Sequence, residues 1–119
     1  PVEDMLPAVC QGIVGVERRS ADDRLAALLQ PLNDPGAAIC AVAERTLLAE
    51  LDGSCRTPIA ALAEPSNGDM RFRAAIVRPD GSELLITERT GPVANAAAMG
   101  RDAADELRSR AGPGFFDEC

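Results

Sequence analysis

The chain contains no histidine and no lysine, and all 12 of its basic residues are arginine. Without histidine a Cys-His catalytic dyad cannot be assembled. The four cysteines, at positions 10, 40, 55 and 119, form no C-x-x-C pair, so the usual zinc site is missing as well. Their irregular spacing in a chain without a secretory signal also argues against a disulfide framework. No run approaches the roughly 18 apolar residues of a membrane span, and no signal-peptide pattern opens the chain. A cytoplasmic protein with no membrane partner is therefore expected. A net charge of -7 argues against nucleic acid and anionic lipid as partners, because phosphate binding needs a basic surplus. The arginine-only basic set is explained more simply by a compositional bias that also favours Ala and Gly than by bidentate carboxylate contacts.

At 119 residues the chain can bury one modest core. Val2, Leu6, Val9, Ile13 and Val16, interrupted by Gly12 and Gly15, suggest strand and turn up to about Glu17. Ser20 and Asp23 resemble a capping box for a short helix from about Ala21 to Gln30. Asn33, Asp34, Pro35 and Gly36 form the clearest break, with Asp34 as N-cap and Pro35 as first residue of a second helix. The domain boundary is expected there, with residues 1–33 a strand/helix tail of a preceding domain and 34–119 the C-terminal domain. Ile39, Ala43, Leu47 and Leu51 give that helix one apolar stripe, ending at Gly53.

After Cys55 the period changes. Ile59, Ala61 and Ala63 alternate up to a turn at Asn67-Gly68, a strong hairpin signal. Met70, Phe72, Ala74 and Ile76 alternate with Arg71, Arg73, Ala75 and Val77. Pro79 to Ser82 make a second turn before Leu84 to Arg89, and Pro92 opens a last helix ended by Gly112 and Pro113. The expected fold class is α+β, a three-stranded antiparallel sheet with helices on one face in the order α-β-β-β-α. Double-stranded RNA-binding domains share that order, but they need basic residues at the start of the last helix. Here that start reads Pro92, Val93, Ala94, Asn95, followed by Asp102, Asp105 and Glu106.

The octet Asp52, Gly53, Ser54, Cys55, Arg56, Thr57, Pro58, Ile59 places one cysteine on a turn between helix and strand. Gly53 suits a left-handed helix cap and Pro58 cannot continue a helix. Such a turn can display a thiol for covalent chemistry, although a turn cysteine is more often an inert small residue. Arg56 either lowers the Cys55 pKa or is a plain surface charge. A position just past a helix C-terminus gives the thiol no help from the dipole.

The segment LDGSCRTPIA closely resembles the cofactor-attachment turn of the hydroxymethylbilane synthase, or porphobilinogen deaminase, family. LPAVCQGIVGVE (Leu6 to Glu17) is similar to that family's LPAVGQGxxGIE run, and AVAERTLLAELDG (Ala41 to Gly53) to its helix before the cysteine. PDGS (Pro79 to Ser82) and the Met99-Gly100 pair fall in the family's order, so the resemblance extends from about Met5 to about Ala111. It implies a transferase of tetrapyrrole, porphyrin and heme biosynthesis that joins four porphobilinogen molecules into linear hydroxymethylbilane, releasing ammonia. It also implies a dipyrromethane cofactor held by a thioether to Cys55, with Gln11, Gly12 and Ser54 beside the cofactor. It implies that no catalytic residue falls in this chain, because the family's acid/base aspartate and most of its carboxylate-binding arginines lie upstream. With Pro1 where an initiator Met would stand, the chain is expected to be the C-terminal portion of a longer, monomeric enzyme. Its partners would be porphobilinogen, the linear tetrapyrrole and the missing N-terminal domains, and alone it would be inactive. Cys10 departs from the pattern, since the family usually has glycine there. Cys40 is expected in or near the core, and Cys119 has no evident role. The alternative is a non-catalytic interaction or regulatory module of similar fold.

Overall fold

The computed structural model describes residues 1–53 and 57–117. Asp22 caps the first helix, α1 (Asp23–Leu29), by accepting the Leu25 N–H, and a 3-10 turn at Gln30–Leu32 follows. Asp34 caps α2 (Pro35–Glu50), accepting the N–H groups of Gly36 and Ala37 at 2.9 and 3.1 Å. Pro35 stands at the start of α2, where its missing N–H removes no helical bond. The strands β1 (Ile59–Ser66), β2 (Asp69–Val77) and β3 (Leu84–Pro92) form an antiparallel meander in the order β1-β2-β3. A 3-10 turn at Val93–Asn95 leads into α3 (Ala96–Ala111).

Both hairpins follow from their turn residues. Ser66 pairs with Asp69 across Asn67 (φ 53°) and Gly68 (φ 83°), and two consecutive positive φ angles match the right-handed twist of the flanking strands. The second turn is closed by the Arg78 N–H on the Glu83 carbonyl at 2.9 Å, with Gly81 at φ 76°. Asp80 accepts the Ser82 N–H, and Ser82 holds its carboxyl below the ordinary range.

One face of the sheet carries Ile59, Ala61, Ala63, Met70, Phe72, Ala74, Ile76 and Leu85, all buried. Against it pack Ala43 and Leu47 of α2 and Ala96, Met99, Ala103, Ala104 and Leu107 of α3. The small residues let the two helices approach each other over the sheet. The other face is split along its length. Arg71 pairs with Glu88 and Arg73 with Glu64 at one end, while Ala60, Ala75, Val77, Leu84 and Ile86 make the other end apolar.

Three expectations need correction. No strand forms in the tail among the described residues, and an antiparallel bridge between Ala8 and Ala60 stands in its place. Positive φ at Cys10 and Gly12 bends the chain away before a second pair can form. The cap of α1 is Asp22 rather than Ser20, because Asp22 carries the acceptor one turn before the first free N–H groups. The left-handed residue after α2 is Asp52 (φ 55°), with Gly53 serving a different purpose described below.

Candidate functional site

The end of α2 fixes where the chain leaves the helix. The Gly53 N–H donates to the Leu48 carbonyl at 2.9 Å and the Asp52 N–H to the Ala49 carbonyl at 3.1 Å, the paired bonds of a Schellman ending. A Cβ on Gly53 would lie 2.6 Å from Ile59 Cδ1 and 2.7 Å from Leu48 Cδ1. Glycine leaves room there for the tips of those two side chains, and its backbone can press against the first residue of β1. The chain is fixed again at Pro58, whose carbonyl accepts the Val77 N–H at 3.1 Å. Ser54 and Cys55, singled out from the sequence, lie between these anchors and outside the described residues, as does Cys119.

Gln11 and Gly12 lie on a turn at residues 8–13. The Gln11 N–H donates to the Ala8 carbonyl at 3.1 Å while the Gln11 Oε1 accepts the Ala8 N–H at 3.0 Å, so the side chain closes its own loop. Both residues are exposed. Cys10 adopts φ 58° and Gly12 φ 85°, and a Cβ on Gly12 would meet nothing, so that glycine serves conformation alone. Cys10, where the resemblance leads one to expect glycine, adopts this left-handed backbone with a side chain.

The turn is docked on the edge of the sheet. The Ala61 N–H donates to the Pro7 carbonyl at 3.0 Å. Glu44, on α2 and only 4% exposed, accepts the Cys10 N–H at 2.9 Å on Oε1 and the Ala63 N–H at 3.3 Å on Oε2. Cys40 Sγ donates to the Ala63 carbonyl at 3.3 Å. Outward-facing backbone groups of β1 are thus satisfied by Pro7, Glu44 and Cys40 instead of by a further strand. Glu44 was not legible as a site residue. The available signal was a lone carboxylate one turn after Cys40 and beside the Ala43–Leu47 stripe of an otherwise apolar helix face.

Burial raises the Glu44 carboxyl above its ordinary range, opposed by the two N–H donors. Burial, and then the Glu44 charge, raise the Cys10 and Cys40 thiols. Both thiols are therefore protonated near neutrality and are poor nucleophiles.

The described cavities do not suit a polyanion. The groove over the apolar end of the open sheet face has a volume of about 590 Å³ and is lined by one cation, Arg73, which is paired with Glu64 at 2.7 Å, and by the acidic Glu3 and Asp4. The cavity between the tail and α2, about 540 Å³, holds Arg18 alone, and its guanidinium already donates to two backbone carbonyls. Arg71, Arg78, Arg89, Arg108 and Arg110 are engaged in ion pairs on the surface.

Residues 38–109 match the family model described as porphobilinogen deaminase, C-terminal domain. The chain belongs to the porphobilinogen deaminase family. It is 56% identical over 115 residues to the porphobilinogen deaminase of Paracoccus denitrificans (strain Pd 1222), covering 97% of this chain and 37% of that protein. The chloroplastic porphobilinogen deaminases of Oryza sativa subsp. japonica and Pisum sativum are each 46% identical over 119 residues, covering 98% of this chain and 33% and 32% of those proteins. The chain thus spans about a third of the length of the porphobilinogen deaminases it matches. No helix among the described residues is long and apolar enough to cross a membrane.

Proposed function

We propose that this chain is the cofactor-bearing C-terminal part of an enzyme that condenses four porphobilinogen molecules into hydroxymethylbilane with release of ammonia. In this reading residues 34–119 form the C-terminal domain, residues 1–33 belong to the preceding one, and the whole is a cytoplasmic monomer. Cys55 carries a dipyrromethane through a thioether, and Ser54, Gln11 and Gly12 lie beside it. The observation that carries the reading is the LDGSCRTPIA segment, whose flanks are fixed by the Schellman ending at Gly53 and by Pro58 on β2.

The described residues fit such a group in two ways. An anchoring thiol needs a short, well-held turn, and Gly53 wedged between Leu48 and Ile59 supplies one end of it. Burial and then the Glu44 charge raise the Cys10 and Cys40 thiols, which makes both less reactive than an unperturbed cysteine and is consistent with attachment at position 55. When bound, a dipyrromethane supplies the free pyrrole end onto which substrate units are added. Gln11 turns its Oε1 into its own loop, and among the described residues nothing accepts from its Nε2, which is free to donate to a pyrrole carboxylate.

The arginines needed for the many carboxylates of the product are not gathered in any described cavity, which supports the expectation that residues 1–119 alone do not turn over. The test is ammonia release from porphobilinogen. The full-length protein containing this chain should release it and residues 1–119 alone should not. Release by this chain alone would overturn the reading.

A further inference from the structure

We infer that Glu44 is a positioning residue that clamps the Gln11–Gly12 turn onto the cofactor-bearing unit and so sets where those two residues stand. The inference rests on the proposed function for its catalytic consequence, while the clamp itself stands on geometry.

Three chain segments far apart in sequence meet at this carboxylate. Oε1 accepts the Cys10 N–H at 2.9 Å and Oε2 accepts the Ala63 N–H at 3.3 Å, so each oxygen is committed to a different segment. The carboxylate is carried by α2, whose Schellman ending is closed by Gly53. Cys10 is held at φ 58°, a left-handed conformation that a side chain disfavours, and its carbonyl accepts the Ile13 N–H at 3.1 Å to close the turn around Gln11 and Gly12. Removing the acceptor leaves a strained residue with an unpaired N–H, and the turn loses its fixed relation to α2. The apolar packing of Leu47 and its neighbours does not depend on Glu44, so the clamp can be lost with the core intact.

The experiment uses the full-length protein in four forms: wild type, Glu44→Gln, Cys10→Pro and Leu47→Val. Glu44→Gln leaves one acceptor where two N–H groups need one each. Cys10→Pro removes the donor from the other side and forbids positive φ. Leu47→Val is a control that weakens the core without touching the turn. Amide exchange at Gln11 and Ile13, dipyrromethane loading and kcat are measured on each.

Exchange should rise about tenfold or more in Glu44→Gln and Cys10→Pro. In both, kcat should fall about tenfold or more with loading intact, since small misplacements near reacting groups are costly. Leu47→Val should lower Tm with kcat and turn exchange unchanged. Unchanged exchange in Glu44→Gln overturns the clamp, and raised exchange with unchanged kcat overturns its positioning role. Should Glu44→Gln fail to fold, Glu44→Asp, which keeps the charge but withdraws the carboxylate by one methylene, decides both points: raised exchange with a kcat loss supports the clamp and its role, unchanged exchange overturns the clamp, and full kcat overturns the role. Absence of any adduct or turnover in the wild type instead removes the enzyme reading, and exchange still decides the clamp.

Discussion

A Cβ on Gly100 of α3 would lie 2.5 Å from the Ala43 carbonyl oxygen of α2 and 3.2 Å from the Leu47 nitrogen. The contact is backbone against backbone, so neither partner can swing aside, and it sets how closely the two helices cross over the sheet. Gly100→Ala must push the helices apart and should lower stability by about 1–3 kcal/mol in urea unfolding. Gly53→Ala meets only the tips of Leu48 and Ile59 side chains and should cost less. An equal or smaller effect at Gly100 would contradict this account of the interface.

Asp52 occupies the left-handed position after α2, at φ 55°. A glycine there makes the same Schellman bonds without a Cβ penalty, so Asp52→Gly should gain up to about 1 kcal/mol. Thermal unfolding of the variant checks the sign.

The assignment of these two positions shows where the sequence could be read and where it could not. Asn67-Gly68, Pro79 to Ser82, the Asp34-Pro35 start and the alternation of β2 are local signals, and local chemistry decides them. The order of strands and helices follows from those. Asp52 and Gly53 are both acceptable left-handed residues, and the choice between them depends on Ile59, which packs on Gly53 from the far side of the turn. The tail was misread for a related reason. Its apolar residues Val2, Leu6, Val9, Ile13 and Val16, broken by Gly12 and Gly15, suggest strand and turn, but left-handed backbone at Cys10 and Gly12 turns it onto Glu44 instead. Glu44 itself was missed because a carboxylate in a helix gives no local sign that it faces two remote N–H groups. The Cys55 segment stood out as a candidate only through its resemblance to a family, since spacing alone does not distinguish a functional turn cysteine from an inert one.

Glu44 also predicts a pH dependence. Its carboxyl is raised above the ordinary glutamate value near 4.5 by burial. A carboxyl raised in the folded state binds its proton more tightly there than in the unfolded chain. The stability it contributes is complete below the ordinary value and is lost as pH rises through the raised one. The stability of wild type relative to Glu44→Gln, which cannot titrate, should therefore decline as pH rises through that window. A difference that grows with pH would contradict the burial account.

Cys10 and Cys40 should react slowly with iodoacetamide at pH 7 compared with a free cysteine in a peptide. Burial and the Glu44 anion both disfavour their thiolates. In Glu44→Gln both should react faster, and peptide mapping of the alkylated protein reads each site separately.

The most direct test is the intact mass of the full-length protein containing this chain, with peptide mapping across its cysteines. The account predicts an added mass of two linked pyrrole units located on Cys55, with Cys10 and Cys40 unmodified. A Cys55 that remains unmodified, even after incubation with porphobilinogen, would contradict it.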